Sequence, residues 1–170
     1  QTEHLVSPDL IQGAAAQAID ALPAQARLEA TVYLLADGRS RAYVVEEEKA
    51  IVLDILQADT VRPQRFLAHE MHHIGADSLL PDRCPEPGLR EALQETTAMV
   101  QEGAATYLVD GWRGSPTAAD FDLVEAFLLD SLSSRLSRPE LTSRRAELVA
   151  GQYGLTYQVG NEIIASLTQE

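Results

Sequence analysis

The sequence predicts an α+β fold, a small antiparallel sheet followed by a mostly helical region. Three observations carry that expectation. β-rich runs divided by a turn signal crowd the first 60 residues, helical spacing with capping residues takes over from about residue 61 to the end, and the composition is that of an ordinary folded protein. One domain over residues 1–170 is expected, its sheet-bearing part about 1–60 and its helical part about 61–170.

At 170 residues the chain is long enough to bury most of its apolar surface without disulfides or a structural metal. Hydrophobic residues make up 45% and charged residues 23%, and no tract combines low hydrophobicity with high charge, so order is expected throughout. Thirteen basic against 26 acidic residues leave a net charge of -13, which repels phosphate backbones and argues against a nucleic-acid partner. No apolar run approaches the roughly 18 residues a membrane span needs. The single cysteine, Cys84 in PDRCPEPG, cannot close an intrachain disulfide and reads as a loop thiol rather than a metal ligand. A start at Gln1 instead of methionine tilts the expectation toward an exported, processed chain, periplasmic or secreted rather than cytoplasmic.

In chain order, SPDLIQGAAAQAIDALP predicts a helix with Ser7 as N-cap, Pro8 in the first position and Pro23 beyond its end. ATVYLLADG, RAYVVEEE and AIVLDIL come next as strands, with Asp37-Gly38 as the turn signal between the first two. Glu46, Glu47 and Glu48 read as a solvated hairpin turn, since three adjacent carboxylates cannot converge on one strand face. DTVRPQRFLAHEMHHIG predicts a helix capped by Asp59 or Thr60, with Pro63 in its first turn and an end near Gly75. LREALQETTAMVQEGAATYLVDG has Leu89, Leu93, Val100, Ala104 and Leu108 at helical spacing and stops at Gly111; GWRGSP is a loop. PTAADFDLVEAFLLDSLSSRL, RPELTSRRAELVAG and YQVGNEIIASL supply the remaining helices.

Three of the four histidines, His69, His72 and His73, fall inside five residues of the helix that contains HEMHH, and only His4 lies elsewhere. Positions i and i+4 share a helix face, so His69 and His73 can offer imidazole nitrogens to one ion. Glu70, about 100° round from His69, can reach a water at that ion without being a ligand, the arrangement of the HExxH motif. Catalytic zinc takes three protein ligands, so another must come from elsewhere. A histidine six residues past the second would be the metzincin solution, but that position is Leu79. A glutamate from the following helix is the alternative: Glu102 in VQEGAATYLV is the best candidate, with Glu95 two turns earlier on nearly the same face. Gly103, beside Glu102, would let that helix approach the metal helix closely.

HEMHH followed by QEGAATY resembles the gluzincin type of zinc metallopeptidase, and more particularly bacterial zinc-dependent peptidases with HExxH and then EGxAxY. The likeness runs from Phe66 to Tyr107 and, more weakly, to YQVGNEI near the end; the first 60 residues match only in their pattern of elements. It implies a zincin-like fold, Zn²⁺ held by His69, His73 and Glu102, Glu70 as general base, and a peptide or protein as substrate. Two departures stand out. Gln101 replaces the asparagine that often precedes the glutamate, and position 106, where thermolysin-type relatives place an aspartate against a ligand histidine, is Thr106. The group orienting His69 and His73 is therefore open.

Tyr157 is the candidate for steadying an oxyanion, on the resemblance of the final helix, ahead of Tyr153 and Tyr107. His72 reads as packed or solvated, Met71 and Met99 as core, and Trp112 and Arg113 as loop anchors rather than the border of a cleft. The expected function is hydrolysis of peptide bonds, with the metal helix lying against the sheet and an edge strand around Ile51 to Leu56 pairing with an extended substrate backbone. A non-catalytic zinc-binding or partner-docking module would carry the same ligands, and a helical interaction domain would carry no metal.

Overall fold

The computed structural model describes residues 7–38, 42–45, 48–54, 56, 62–80, 87–133, 137–150 and 154–168. Its elements run α1 (Pro8–Asp20), β1 (Thr31–Leu35), β2 (Ala42–Val45), β3 (Ala50–Asp54), α2 (Pro63–Asp77), α3 (Pro87–Ala104) with a π turn over Ala105–Val109, α4 (Ala118–Leu132), α5 (Arg138–Leu148) and α6 (Leu155–Leu167). The α+β class stands. No described helix is long and apolar enough to cross a membrane. Two compact units are formed, Gln1–Leu80 with Leu108–Asp110, and Pro81–Tyr107 with Gly111–Glu170. Cys84, His4, Glu46, Glu47, Asp59, Thr60 and Tyr153 lie outside the described residues.

In the first unit α1 begins where the sequence places it, the Ser7 side chain accepting from Leu10 N at 3.2 Å and Pro8 fitting a position that needs no N–H. The sheet corrects the antiparallel expectation. Its order is β1-β3-β2, with β3 antiparallel to β2 but parallel to β1. Residues 36–41 separate β1 from β2, a connection long enough to cross two strand spacings of about 4.8 Å, and β3 occupies the gap. Asp37-Gly38 therefore turns the chain, with Gly38 at φ 71, but does not join paired strands.

The middle place of β3 also overturns the expectation that Ile51 to Leu56 would form a sheet edge open to a substrate backbone. Ala50, Ile51, Leu53 and Asp54 are buried, as an almost continuous apolar run covered on both faces requires, and the edges are β1 and β2. The register sets Val32, Ile51 and Val44 in one row. That row meets Ala14 and Ala18 of α1 and Leu67, Ala68, Met71 and Ile74 of α2, so the histidine-bearing helix lies against the sheet as expected. α2 starts after Arg62, which makes no side-chain cap, and runs past Gly75 to Asp77. Gly75 is a packing glycine instead of a stop: a Cβ there would collide with the Leu22 side chain.

In the second unit α3 and α6 touch backbone to backbone. A Cβ on Gly103 would collide with the carbonyl group of Gly160 and lie 2.6 Å from Asn161 N, and one on Gly160 would collide with Met99 O. Gly103 thus serves the approach of α6. Met99, Val124 and Val159 form the core beside it, with Phe121, Leu128, Leu148, Leu155 and Ile163 packed around them. Leu89, Leu93 and Val100, whose spacing marked α3 as a helix, are 38%, 45% and 36% exposed, so the glycine and Met99 side is the packed one. α4 and α5 start at capping boxes, Thr117 with Asp120 and Ser137 with Glu140. Hydrogen bonds from Thr117 and Ser137 hold the Asp120 and Glu140 carboxyls below their usual pKa values.

The end of α3 widens into the π turn at Thr106. Its hydroxyl donates to Glu102 O at 2.7 Å, shared with Gly103 O at 3.1 Å, and so competes with the ordinary helical ladder at that turn. Buried Asn161 of α6 then pins both the turn and the loop beyond it: Nδ2 donates to Thr106 Oγ1 (3.2 Å) and Trp112 O (3.0 Å), and Oδ1 accepts from Gly114 N (2.8 Å).

These contacts can be tested through stability. Gly103→Ala should lower unfolding free energy by about 1–3 kcal/mol or more in chemical denaturation, because backbone cannot yield to the new methyl. Gly13→Ala is its control: that methyl meets only the Gln64 side chain, Nε2 at 2.9 Å, so a neutral or stabilising result is expected. Asn161→Ala should cost about 1–3 kcal/mol per group left unpaired. It should also speed hydrogen exchange at the Gly114 amide, and unchanged exchange there would refute the role assigned to the Asn161 side chain.

Candidate metal centre

Helix α2 carries two interleaved stripes. Leu67, Met71 and Ile74 recur at i, i+4 and i+7 and enter the core, while His69 and His73 lie on the other side at about 100° per residue. The two histidine rings have centroids 5.0 Å apart with planes at 69°. Both are half-buried, as is Glu70 between them. His72 falls at the border of the apolar stripe and is 3% exposed, so it is packed, with its ring centroid 6.4 Å from that of His73. Met71 and Met99 are core residues, as expected.

The group that orients His69 is Asp110. Its Oδ2 lies 2.9 Å from His69 Nδ1, and both side chains are largely covered. An ionised carboxylate can only accept, so Nδ1 carries the proton in this bond and Nε2 keeps the lone pair that a metal would use. The resemblance expects an orienting aspartate four residues past Glu102, where Thr106 stands, whereas the carboxylate comes eight residues past it. The sequence did hold a signal: YLVDG places the next acidic residue just before the glycine that ends the helix, and Gly111 has φ 62.

Glu102 stands on the last turn of α3, immediately before the π turn, and is half-buried. Ligand atoms from His69, His73 and Glu102 lie within 4.8 Å of one another, a group that could hold a metal ion. Two imidazole nitrogens and one carboxylate oxygen are a donor set that zinc accepts, and three protein ligands are the number found where a fourth position serves water or substrate. Glu95 is engaged otherwise, its Oε2 3.4 Å from Arg145 Nε on α5. Tyr157 occupies the first turn of α6 and is half-buried. Tyr107 lies under the Arg113 guanidinium, 3.7 Å from its ring centroid. Arg113 also donates to Tyr107 O (3.0 Å) and Trp112 O (3.1 Å), and Trp112 N donates to Thr106 O (3.0 Å), so this loop is anchored upon itself as the sequence suggested.

No curated protein and no solved structure matches the chain. A family described as "Putative zinc dependent peptidase (DUF5700)" matches residues 2–164, and the chain belongs to that family.

Proposed function

We propose that the chain is a gluzincin-type zinc-dependent peptidase, with His69, His73 and Glu102 holding the ion and Glu70 acting as general base. The observation that carries this reading is the group of His69, His73 and Glu102 donors, and membership of the family named above supports it. Zinc bound there would supply a Lewis acid that polarises the scissile carbonyl and lowers the pKa of water. The rest of the chemistry belongs to the chain. Glu70 takes the proton of the attacking water as the C–O bond forms and passes it to the leaving amine as the C–N bond breaks. Tyr157, whose phenol is a donor, steadies the oxyanion. Asp110 keeps the Nε2 of His69 available.

An extended peptide can bind by adding a strand to a free sheet edge. With β3 internal, β2 is the edge we assign to substrate, because it packs against α2. Main-chain hydrogen bonds from Ala42 to Val45 would then hold a substrate backbone without regard to its side chains.

The purified protein should bind about one zinc per chain with imidazole nitrogens at roughly 2.0–2.1 Å, measured by metal analysis and X-ray absorption. Failure to take up zinc on reconstitution at neutral pH would end the peptidase reading. Glu70→Gln should keep the zinc and lose about 10²–10⁴-fold in peptide hydrolysis. Zinc uptake by a wild-type chain that hydrolyses no peptide would instead favour the non-catalytic binding module.

Glu102→Ala should weaken zinc binding by more than the roughly 10–100-fold typical of losing a ligand's hydrogen-bond partner. Glu95→Ala should do so far less, since Glu95 already pairs with Arg145. The reverse ranking in chelator competition would transfer the ligand role to Glu95.

A further inference from the structure

The Asp110 carboxylate that meets His69 has a second partner, and the residue before it is fastened as well. Asp110 divides its oxygens between two residues of α2: Oδ2 meets His69 Nδ1 at 2.9 Å, and Oδ1 lies 3.9 Å from Arg65 Nε. Arg65 and His69 are four residues apart, so both reach one carboxylate from adjacent turns of the same face. The preceding residue is fastened too. Val109 is 4% exposed within the first unit's core, and its carbonyl accepts from Gln17 Nε2 of α1 at 2.9 Å. A three-residue segment, Leu108–Asp110, belongs to a unit otherwise built from Gln1–Leu80.

We propose that Arg65 and Gln17 are positioning residues that act through Asp110 to fix the ring orientation and tautomer of His69. This deepens the metal-site reading above and rests on it. An aspartate with one engaged oxygen can still rotate about its last side-chain bond and release its partner. Attracting Oδ1 toward Arg65 removes that freedom and leaves Oδ2 aimed at Nδ1. Gln17 does the same one step back along the chain, holding the Val109 carbonyl so that the Asp110 backbone cannot drift. The ion pair's energy is not the point: Arg65 is 31% exposed, and such pairs contribute little to folding. Its worth lies in geometry, because support for a ligand histidine changes metal affinity even where stability barely moves.

A double-mutant cycle separates positioning from plain packing. Zinc dissociation constants are measured by chelator competition for wild type, Asp110→Ala, Arg65→Met, Gln17→Leu and each of the latter two combined with Asp110→Ala; circular dichroism monitors folding. Asp110→Ala should weaken zinc about 10–100-fold. Arg65→Met and Gln17→Leu should each weaken it a few-fold in the presence of Asp110 and have no effect in its absence, the non-additivity expected of groups that act through one another. Side-chain ¹⁵N NMR of the metal-free protein at mildly alkaline pH gives a readout independent of metal. There His69 should be the Nδ1–H tautomer in wild type and a mixture in Arg65→Met. Additive losses, or a tautomer that Arg65→Met leaves unchanged, would overturn the proposal. If wild type bound no zinc the peptidase reading would fall, and the tautomer measurement would still decide the brace.

Discussion

Helix α2 can bury only one side, and the structure depends on which. Leu67, Ala68, Met71 and Ile74 take the sheet side because their side chains surrender water without leaving a polar group unpaired. Full burial of Leu67, Met71 or Ile74 contributes on the order of 1.5–3 kcal/mol each, so a rotated helix would lose several of these at once. With that rotation fixed, His69 and His73 have no freedom to choose their direction. Their placement is a by-product of packing the other face, and it is rigid because the core is close-packed.

The second unit solves a different problem. Glu102 sits one residue before Gly103, where α3 and α6 meet without side chains between them. Backbone contact of this kind tolerates little sliding, so the glutamate's position along α3 is set by a neighbour that carries no ligand. Immediately afterwards Thr106 diverts the helix into its wider turn, and Asn161 ties Thr106, Trp112 and Gly114 together. A buried asparagine with its polar atoms occupied is a strong constraint, since any shift leaves donors or acceptors stranded in a dry interior.

The helices were legible in the sequence because their signals are local: Ser7 and Pro8 start α1, Thr117 with Asp120 starts α4, and HEMHH shows its own i, i+4 pair. What escaped depends on distant partners. TVYLL and AIVLD are similarly apolar, and nothing within either run says that the second will be covered on both faces. The glycine at 103 announced a close approach but not the identity of the approaching helix. Leu89, Leu93 and Val100 gave the right period and are nonetheless exposed, because periodicity identifies a stripe and not its cover. Asp110 was hidden because the resemblance points to position 106, and the π turn over Ala105–Val109 breaks the 3.6-residue period by which a carboxylate beyond it could be placed on a helix face.

Leu108–Asp110 has a bearing on the order in which the chain assembles. The Gln17 and Val109 contact closes a loop of 92 residues and the His69 and Asp110 contact one of 41, both long against the local contacts within α1 and α2. On a ribosome, α1, the sheet and α2 are synthesised while the residues that complete their unit are still untranslated. During that interval the core lacks Val109 and His69 lacks its carboxylate. Completion of the first unit therefore waits on α3, even though α3 is counted in the second, and maturation of the histidine pair is among the later events of folding.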